Sequence, residues 1–477
     1  MTSVKVLGGT WWLPSNPTNK AFGFLSWNGE HWDLNVLGDL FSDSGLSEGI
    51  HVNRSALFGE CYGEEYTLQN AVFRARQAPS LVRSAPEMGG TTMHSSETWE
   101  APHLLKGIHD DGYMGYFGVE FTVQHLNSWM PLPGNLESRL SEWGEFNYSA
   151  YSLAEAHIVM GRTLSTQYGY SHFEATELPY VRIETKSPIT LEDFRRRWIE
   201  PFRRLQAASL GEACEVLNVQ FSPTRFPIET TEACAVIEHE SRLVGLDPGV
   251  EIDPVADSYL SRAFNAADLD FANFFVRWQT ACEVLPVPTA LFDPRNRERF
   301  AEARAVQAVN ALEACHRVYN PDPSVDFVKV AELKAELKEN TSLSSKERRR
   351  IVDHYKATRG PSLAQRLEEV MEQCGPLAAA KFIRNETQNW AYISARLRNV
   401  LSHGLPSPTH IQQNYELIDS VIEVADHLMP LYIAGRCGMD LDRVLDSPRI
   451  GFRIPTYRFI DADWRHNAES EQSGVGA

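Results

Sequence analysis

At 477 residues the chain is too long for one core of ordinary size, so two or three domains are expected. Its 43% hydrophobic and 23% charged residues are the composition of a folded protein and argue against global disorder. A net charge of −18 excludes a surface that is basic all round and leaves room for a local basic site only.

Seven cysteines, at 61, 214, 234, 282, 315, 374 and 437, never fall within four residues of one another. Neither a CxxC zinc half-site nor a disulfide framework is indicated, and a reducing cytoplasm is the expected location. The N-terminal residues carry no apolar core of signal-peptide length, and no run approaches the ~18 apolar residues of a membrane span. No lysine follows a glycine and HExxH is missing, which sets aside P-loop NTP hydrolysis and zincin chemistry. No cofactor and no metal site is expected.

The first half reads as β-structure. Gly8–Trp12, Phe22–Leu25 and Trp32–Leu40 are short apolar runs separated by Gly, Asn and Pro turns. In Tyr113–Val123 the residues Tyr113, Phe117, Val119, Phe121 and Val123 alternate with Glu120 and Thr122, the period of a half-buried strand. Val181, Ile183 and Thr185 alternate with charged neighbours in the same way. Thr190, with Asp193 three residues on, caps a helix over Leu191–Leu205, and strand-like Val216–Phe221 and Ala233–Glu238 follow. Eight tryptophans (11, 12, 27, 32, 99, 129, 143 and 198) lie in this half, either as core or as a ligand platform.

After about residue 256 the period becomes helical: Phe264–Cys282, Arg297–Val318, Val328–Glu339, Lys346–Lys356, Leu363–Ile383, Asn385–Ser402 and Gln412–Leu431. Ser344 and Glu347 have capping-box spacing, and Gly404 before Pro406 is a stop signal. The predicted fold class is α+β and multidomain. A β-rich sandwich- or barrel-like domain (1–255) precedes an all-α bundle (256–465) and a polar tail (466–477).

The chemistry concentrates in Arg398-Asn399-Val400-Leu401-Ser402-His403. A guanidinium can grip two phosphate oxygens and stabilise charge building on a pentacoordinate phosphorus. An imidazole titrates near neutrality, so it can take the proton of a 2′-hydroxyl or give one to a leaving 5′-oxygen. Residues five apart lie about 140° apart on an ideal helix. Arg398 and His403 can therefore converge only if His403 sits in a loosened last turn, where carbonyl dipoles also favour the imidazolium.

About one Arg-x4-His is expected by chance in such a chain, and a second, Arg349 to His354, does occur. Only Arg398–His403 has Asn directly after the Arg. Residues 341–410 carry eleven Lys/Arg against six Asp/Glu, a basic island in an acidic chain. Lys346–Arg350, within it, reads as a solvated helix start.

The Arg-Asn-x-x-Ser-His element, late in an all-α region, resembles the HEPN superfamily of ribonucleases. The opening Gly9-Thr-Trp-Trp-Leu-Pro14, Gly23-Phe-Leu, Leu37-Gly-Asp-Leu40 and Ala311-Leu-Glu-Ala-Cys-His-Arg317 extend the likeness over nearly the whole chain. It is similar to the ApeA type of bacterial anti-phage proteins. That resemblance implies an N-terminal domain that senses infection and a HEPN effector that degrades RNA, tRNA being one candidate substrate. It also implies a homodimer or larger homo-oligomer, a phage-derived trigger, Arg398 and His403 as catalytic residues, and Asn399 as the residue orienting the site. One position departs: some HEPN toxins carry Tyr two residues past the His, and this chain has Leu405.

Plainer roles compete. His403 can be a helix-end imidazole, Arg398 can pair with Glu386 or Glu416, and Glu313 with His316 can be an ordinary helix-surface pair. Asp110-Asp111, Asp268-x-Asp270 and Asp461-x-Asp463 have the composition of metal or glycosidase carboxylates, but such doublets more often cap turns. The alternative to an enzyme is a HEPN dimerisation scaffold whose β-domain binds a ligand or phage protein.

Overall fold

The computed structural model describes residues 6–28, 31–40, 55–83, 91–130, 145–168, 173–224, 235–238, 264–321, 327–339, 342–357, 360–403 and 415–446. The chain divides into two compact units, one comprising Met1–Ser128, Leu132–Arg203 and Glu215–Ser258, the other Trp129–Pro131, Arg204–Cys214 and Tyr259–Ala477.

The first unit holds strands β1 (Val6–Trp12), β2 (Ala21–Trp27), β3 (Trp32–Leu37), β4 (Ser55–Cys61), β5 (Glu64–Arg83), β6 (Thr91–Ala101) and β7 (His103–Lys106). It continues with β8 (Tyr116–Val123), β9 (Glu145–Ser152), β10 (Ala156–Tyr168), β11 (Phe173–Ile189), β12 (Val216–Ser222) and β13 (Ala235–Glu238). These form a sheet in the order β4-β1-β2-β3-β6-β5-β7-β13-β12-β8-β11-β10-β9, and a further β4–β5 pairing closes the first six into a ring. The register of closure runs from Ser55 opposite Ala71 to Cys61 opposite Glu64.

Alternation decides what fills the ring. In β3 the residues Trp32, Leu34 and Val36 are buried while their neighbours face out. Trp11, Leu25, Leu57, Leu68 and Trp99 meet them in one apolar cluster. At Gly59 a Cβ would stand 2.4 Å from the Trp11 ring, so only glycine lets the indole lie flat on β4. Trp11, Trp32, Trp99 and Trp129 are fully buried, which makes them core; Trp143 lies outside the described residues.

β8 buries Val119, Phe121 and Val123, as the alternation predicts, but Phe117 is only half-buried and Tyr116 takes the buried place before it. It begins at Tyr116 and not at Tyr113, which is exposed. Helix α1 is a continuous run of Leu191–Phe194, Arg195–Ile199 wound as a π turn, and Glu200–Leu210. Thr190 Oγ1 accepts from the Asp193 amide at 3.2 Å, the predicted cap, and Phe202 packs edge-on against Phe121.

The second unit is helical: α2 (Phe271–Val284), α3 (Pro286–Ala290), α4 (Ala301–Tyr319), α5 (Phe327–Glu339), α6 (Ser345–Ala357) and α7 (Leu363–Cys374). α8 (Pro376–Ile383), α9 (Thr387–His403), α10 (Tyr415–Arg436) and α11 (Leu441–Asp446) complete it. Helices α4, α7, α9 and α10 pack on one another. Two expectations are corrected. The expected helix over Phe264–Cys282 begins only at Phe271, and Leu363–Ile383 is two helices. Gly375, at φ 90°, ends the first of these two, and Pro376 starts the second, where its missing N–H costs nothing. Among the described residues no helix is long and apolar enough to cross a membrane.

Candidate functional site

Helix α9 carries the Arg-Asn-x-x-Ser-His element. Glu386 accepts the Trp390 amide at 3.0 Å through its backbone carbonyl and so starts the helix. Burial holds the Glu386 carboxyl above the usual range. Trp390, Ile393, Ser394, Leu397 and Val400 are buried at helical spacing, which fixes the rotation of α9 about its axis. Arg398 and Asn399, one and two steps past Leu397, are thereby turned toward the rim, Arg398 half-buried and Asn399 exposed.

Two amide oxygens hold the Arg398 guanidinium. Nε donates to Asn310 Oδ1 on α4 at 2.9 Å, and Nη1 donates to Asn399 Oδ1 at 3.0 Å. Neither Glu386 nor Glu416 pairs with it, and no carboxylate does so among the described residues. The cation is oriented without being neutralised, and guanidinium N–H groups remain for a further acceptor. Asn310 escapes sequence reasoning because it lies 88 positions away as a lone exposed polar residue on another helix.

His403 is the last residue of α9, so its backbone stands about 7.5 Å along the axis from Arg398 and about 140° around it. Its side chain, with Gly404, Leu405 and Pro406, lies outside the described residues. The His354 side chain does so as well.

Nearby titratable groups are engaged elsewhere. His316 is buried, its Nε2 2.6 Å from Glu369 Oε2 on α7, whereas Glu313 pairs with Arg317 at 2.7 Å. Glu313 and His316 therefore do not act as a pair. Arg297 and Arg304 share Asp426 at 2.9 and 2.5 Å. Burial pushes the Cys437 thiol up to about 12 and those of Cys315 and Cys374 further, so none is a ready nucleophile at neutral pH.

The described acidic doublets make local contacts. Asp110 is buried, accepts from Tyr116 Oη at 2.8 Å and Gln69 Nε2 at 3.0 Å, and receives the backbone amides of Gly112 and Met114. Asp268 accepts the Asn265 amide at 2.9 Å, and Asp270 precedes α2. Asp461 and Asp463 lie outside the described residues. Among the described residues one group of potential metal ligands occurs, His31, Asp33 and Glu100 on the ring.

Comparison with known families completes the picture. The family model for ApeA N-terminal domain 1 matches residues 7–225, and that for Apea-like HEPN matches 306–443, which runs from α4 into α11 and includes Arg398, Asn399 and His403. No curated protein and no solved structure shows significant similarity. The two matches fall in the order that the sequence resemblance implies, one on the β-rich unit and one on the helical unit. The chain is therefore an ApeA-like protein, joining an ApeA N-terminal domain to a C-terminal HEPN domain, and belongs to a family of anti-phage HEPN nucleases.

Proposed function

We propose that the protein is a metal-independent endoribonuclease of a bacterial anti-phage system, active in the cytoplasm and held in check until its N-terminal domain meets a phage-derived signal. One observation carries the catalytic part. Arg398 is held by Asn310 and Asn399 with no carboxylate among its described partners, on the helix that ends at His403. A charged group left unpaired at a partly desolvated rim is suited to an anionic transition state.

In this reading the substrate 2′-hydroxyl attacks the adjacent phosphorus while an imidazole takes its proton. Arg398 binds the non-bridging oxygens as charge builds there. The P–O5′ bond then breaks, the 5′-oxygen leaves with a proton, and a 2′,3′-cyclic phosphate remains. Asn399 and Asn310 are positioning residues acting through the guanidinium.

Arg398 and His403 diverge by about 140° around one helix. A symmetric dimer, in which two Arg/His pairs face one cleft, supplies both proton transfers, one imidazole as base and its mate as acid.

Purified protein should cleave total RNA or tRNA in EDTA, leaving cyclic phosphate ends, and His403→Ala should not. If both His403→Ala and Arg398→Ala retain wild-type cleavage and phage resistance, the HEPN unit is a dimerisation scaffold and the β-unit is the working part.

A further inference from the structure

Helices α5 and α6 pack on one another, and a cavity of about 540 Å³ is lined by both. Lys334 and Lys338 line it from α5, and Arg348 and Arg349 from α6, with Ser345 beside them and Leu337 and Val352 as the apolar lining.

The placement of charge is selective. Lys334, Leu337 and Lys338 are spaced i, i+3, i+4 and share one face of α5. Glu332, Glu336 and Glu339 lie about 140–160° around the helix from Lys334, on the far side. On α6 the one acid of the first turn, Glu347, is turned back onto Ser344, its Oε2 accepting from the backbone amide at 2.8 Å and from Oγ at 2.6 Å. Among its described lining residues the groove carries four cations and no carboxylate, Arg349 having a further interaction of its own.

Cations on the two walls of one cleft repel, and that cost is removed when an anion lies between them. Arg348 reaches across, Nη1 donating to the Lys338 carbonyl at 3.3 Å, while its Nε–H is buried with no acceptor among the described residues. A cleft with cations on both walls and a hydroxyl at its edge fits a chain of phosphates better than one isolated anion.

We propose that the α5–α6 groove is the seat of the RNA backbone, with phosphate oxygens bridging Lys334 and Lys338 on one wall and Arg348 and Arg349 on the other. The naming of the anion as RNA rests on the ribonuclease reading; the groove and its charge do not. Contacts to phosphate carry affinity and not sequence choice, so this surface holds substrate of any sequence.

The test uses the full-length protein and a fluorescein-labelled 2′-O-methyl RNA, which cannot be cut by 2′-oxygen attack, so that binding is read whether or not the chain is a nuclease. Lys334→Gln/Lys338→Gln alters exposed side chains only. It should weaken anisotropy-detected binding by tenfold or more in low salt. It should also flatten the plot of log Kd against log salt by about 1.4, at roughly 0.7 per lost phosphate contact on a single strand. Unchanged affinity and slope would overturn the proposal. So would a variant that keeps RNA binding and loses instead its binding to phosphatidylserine vesicles. Arg349→Gln, added to the pair, should weaken binding again, and circular dichroism should show helix content intact. His403→Ala, assayed separately on cleavable RNA, decides the nuclease reading without touching this one.

Discussion

Both units pair arginines with carboxylates, and the helical unit also holds two of its arginines by neutral groups alone among the described residues. In the β-rich unit, guanidinium groups are matched with carboxylates across strands: Arg182 with Glu120 at 2.7 Å, Arg74 with Glu100 at 2.5 Å, and Arg76 with the fully buried Glu97 at 2.7 Å. Glu97 also accepts from the Leu40 amide and the Trp99 indole, so the charge is locked into the ring. In the helical unit, Arg297 and Arg304 are paired in the same manner, but Arg398 is steered by neutral amides and Arg348 by a carbonyl. A carboxylate partner would hold these two arginines as firmly and would also quench them. In the proposed reading, pairing holds the fold together, and the amide and carbonyl tethers of Arg398 and Arg348 keep their charge for a ligand.

Four measurements can break or sharpen that contrast. The largest effects belong to the cores, which the two units build alike. Trp390→Ala on α9 and Trp11→Ala in the ring each empty a fully buried site and should cost about 3–5 kcal/mol in denaturant unfolding. Arg398→Lys keeps a positive charge and loses the fork; it should lower RNA cleavage by about 10²–10³-fold while stability changes by less than about 0.5 kcal/mol. A comparable loss of stability would mean that Arg398 holds the bundle and would erase the contrast.

Gly59→Ala should destabilise the ring by about 1–3 kcal/mol, because the new Cβ meets the Trp11 ring and not a flexible chain end. The smallest effect is at Glu347. Its hydrogen bonds to Ser344 depress its pKa, so its contribution is present above the ordinary carboxylate range and is lost as pH falls through the lowered value. Amide protection at the start of α6, corrected for the intrinsic exchange rate, should fall as pH drops through that lowered value, and Glu347→Gln should remove this pH dependence.

Much of this arrangement is legible in the chain. The switch from two-residue to helical periodicity separates β from α, and the Ser344 and Thr190 caps are readable because their partners lie three residues away. The element at Arg398 is visible because its members are neighbours on one helix. What sequence does not reveal is contact between distant positions. The closure of β4 on β5 depends on turns and twist far from either strand's own pattern, and Asn310 has no local signal connecting it with Arg398. The break at Gly375-Pro376 is hidden by the apolar period that continues through it, since Leu367, Val370, Met371, Cys374, Ala378 and Phe382 are all buried. Lys346–Arg350 reads as a solvated helix start because the facing lysines belong to α5.

The strand β5 belongs to two structures at once. One edge of its first half closes the ring against β4, the other edge carries β7, and β7 in turn passes the sheet on to β13. Neither the ring nor the open sheet can melt without stripping partners from this shared backbone, so heat should take both down in a single transition. A fragment cut after residue 106 would keep the ring and bare the outer rim of β7, inviting strand exchange between copies.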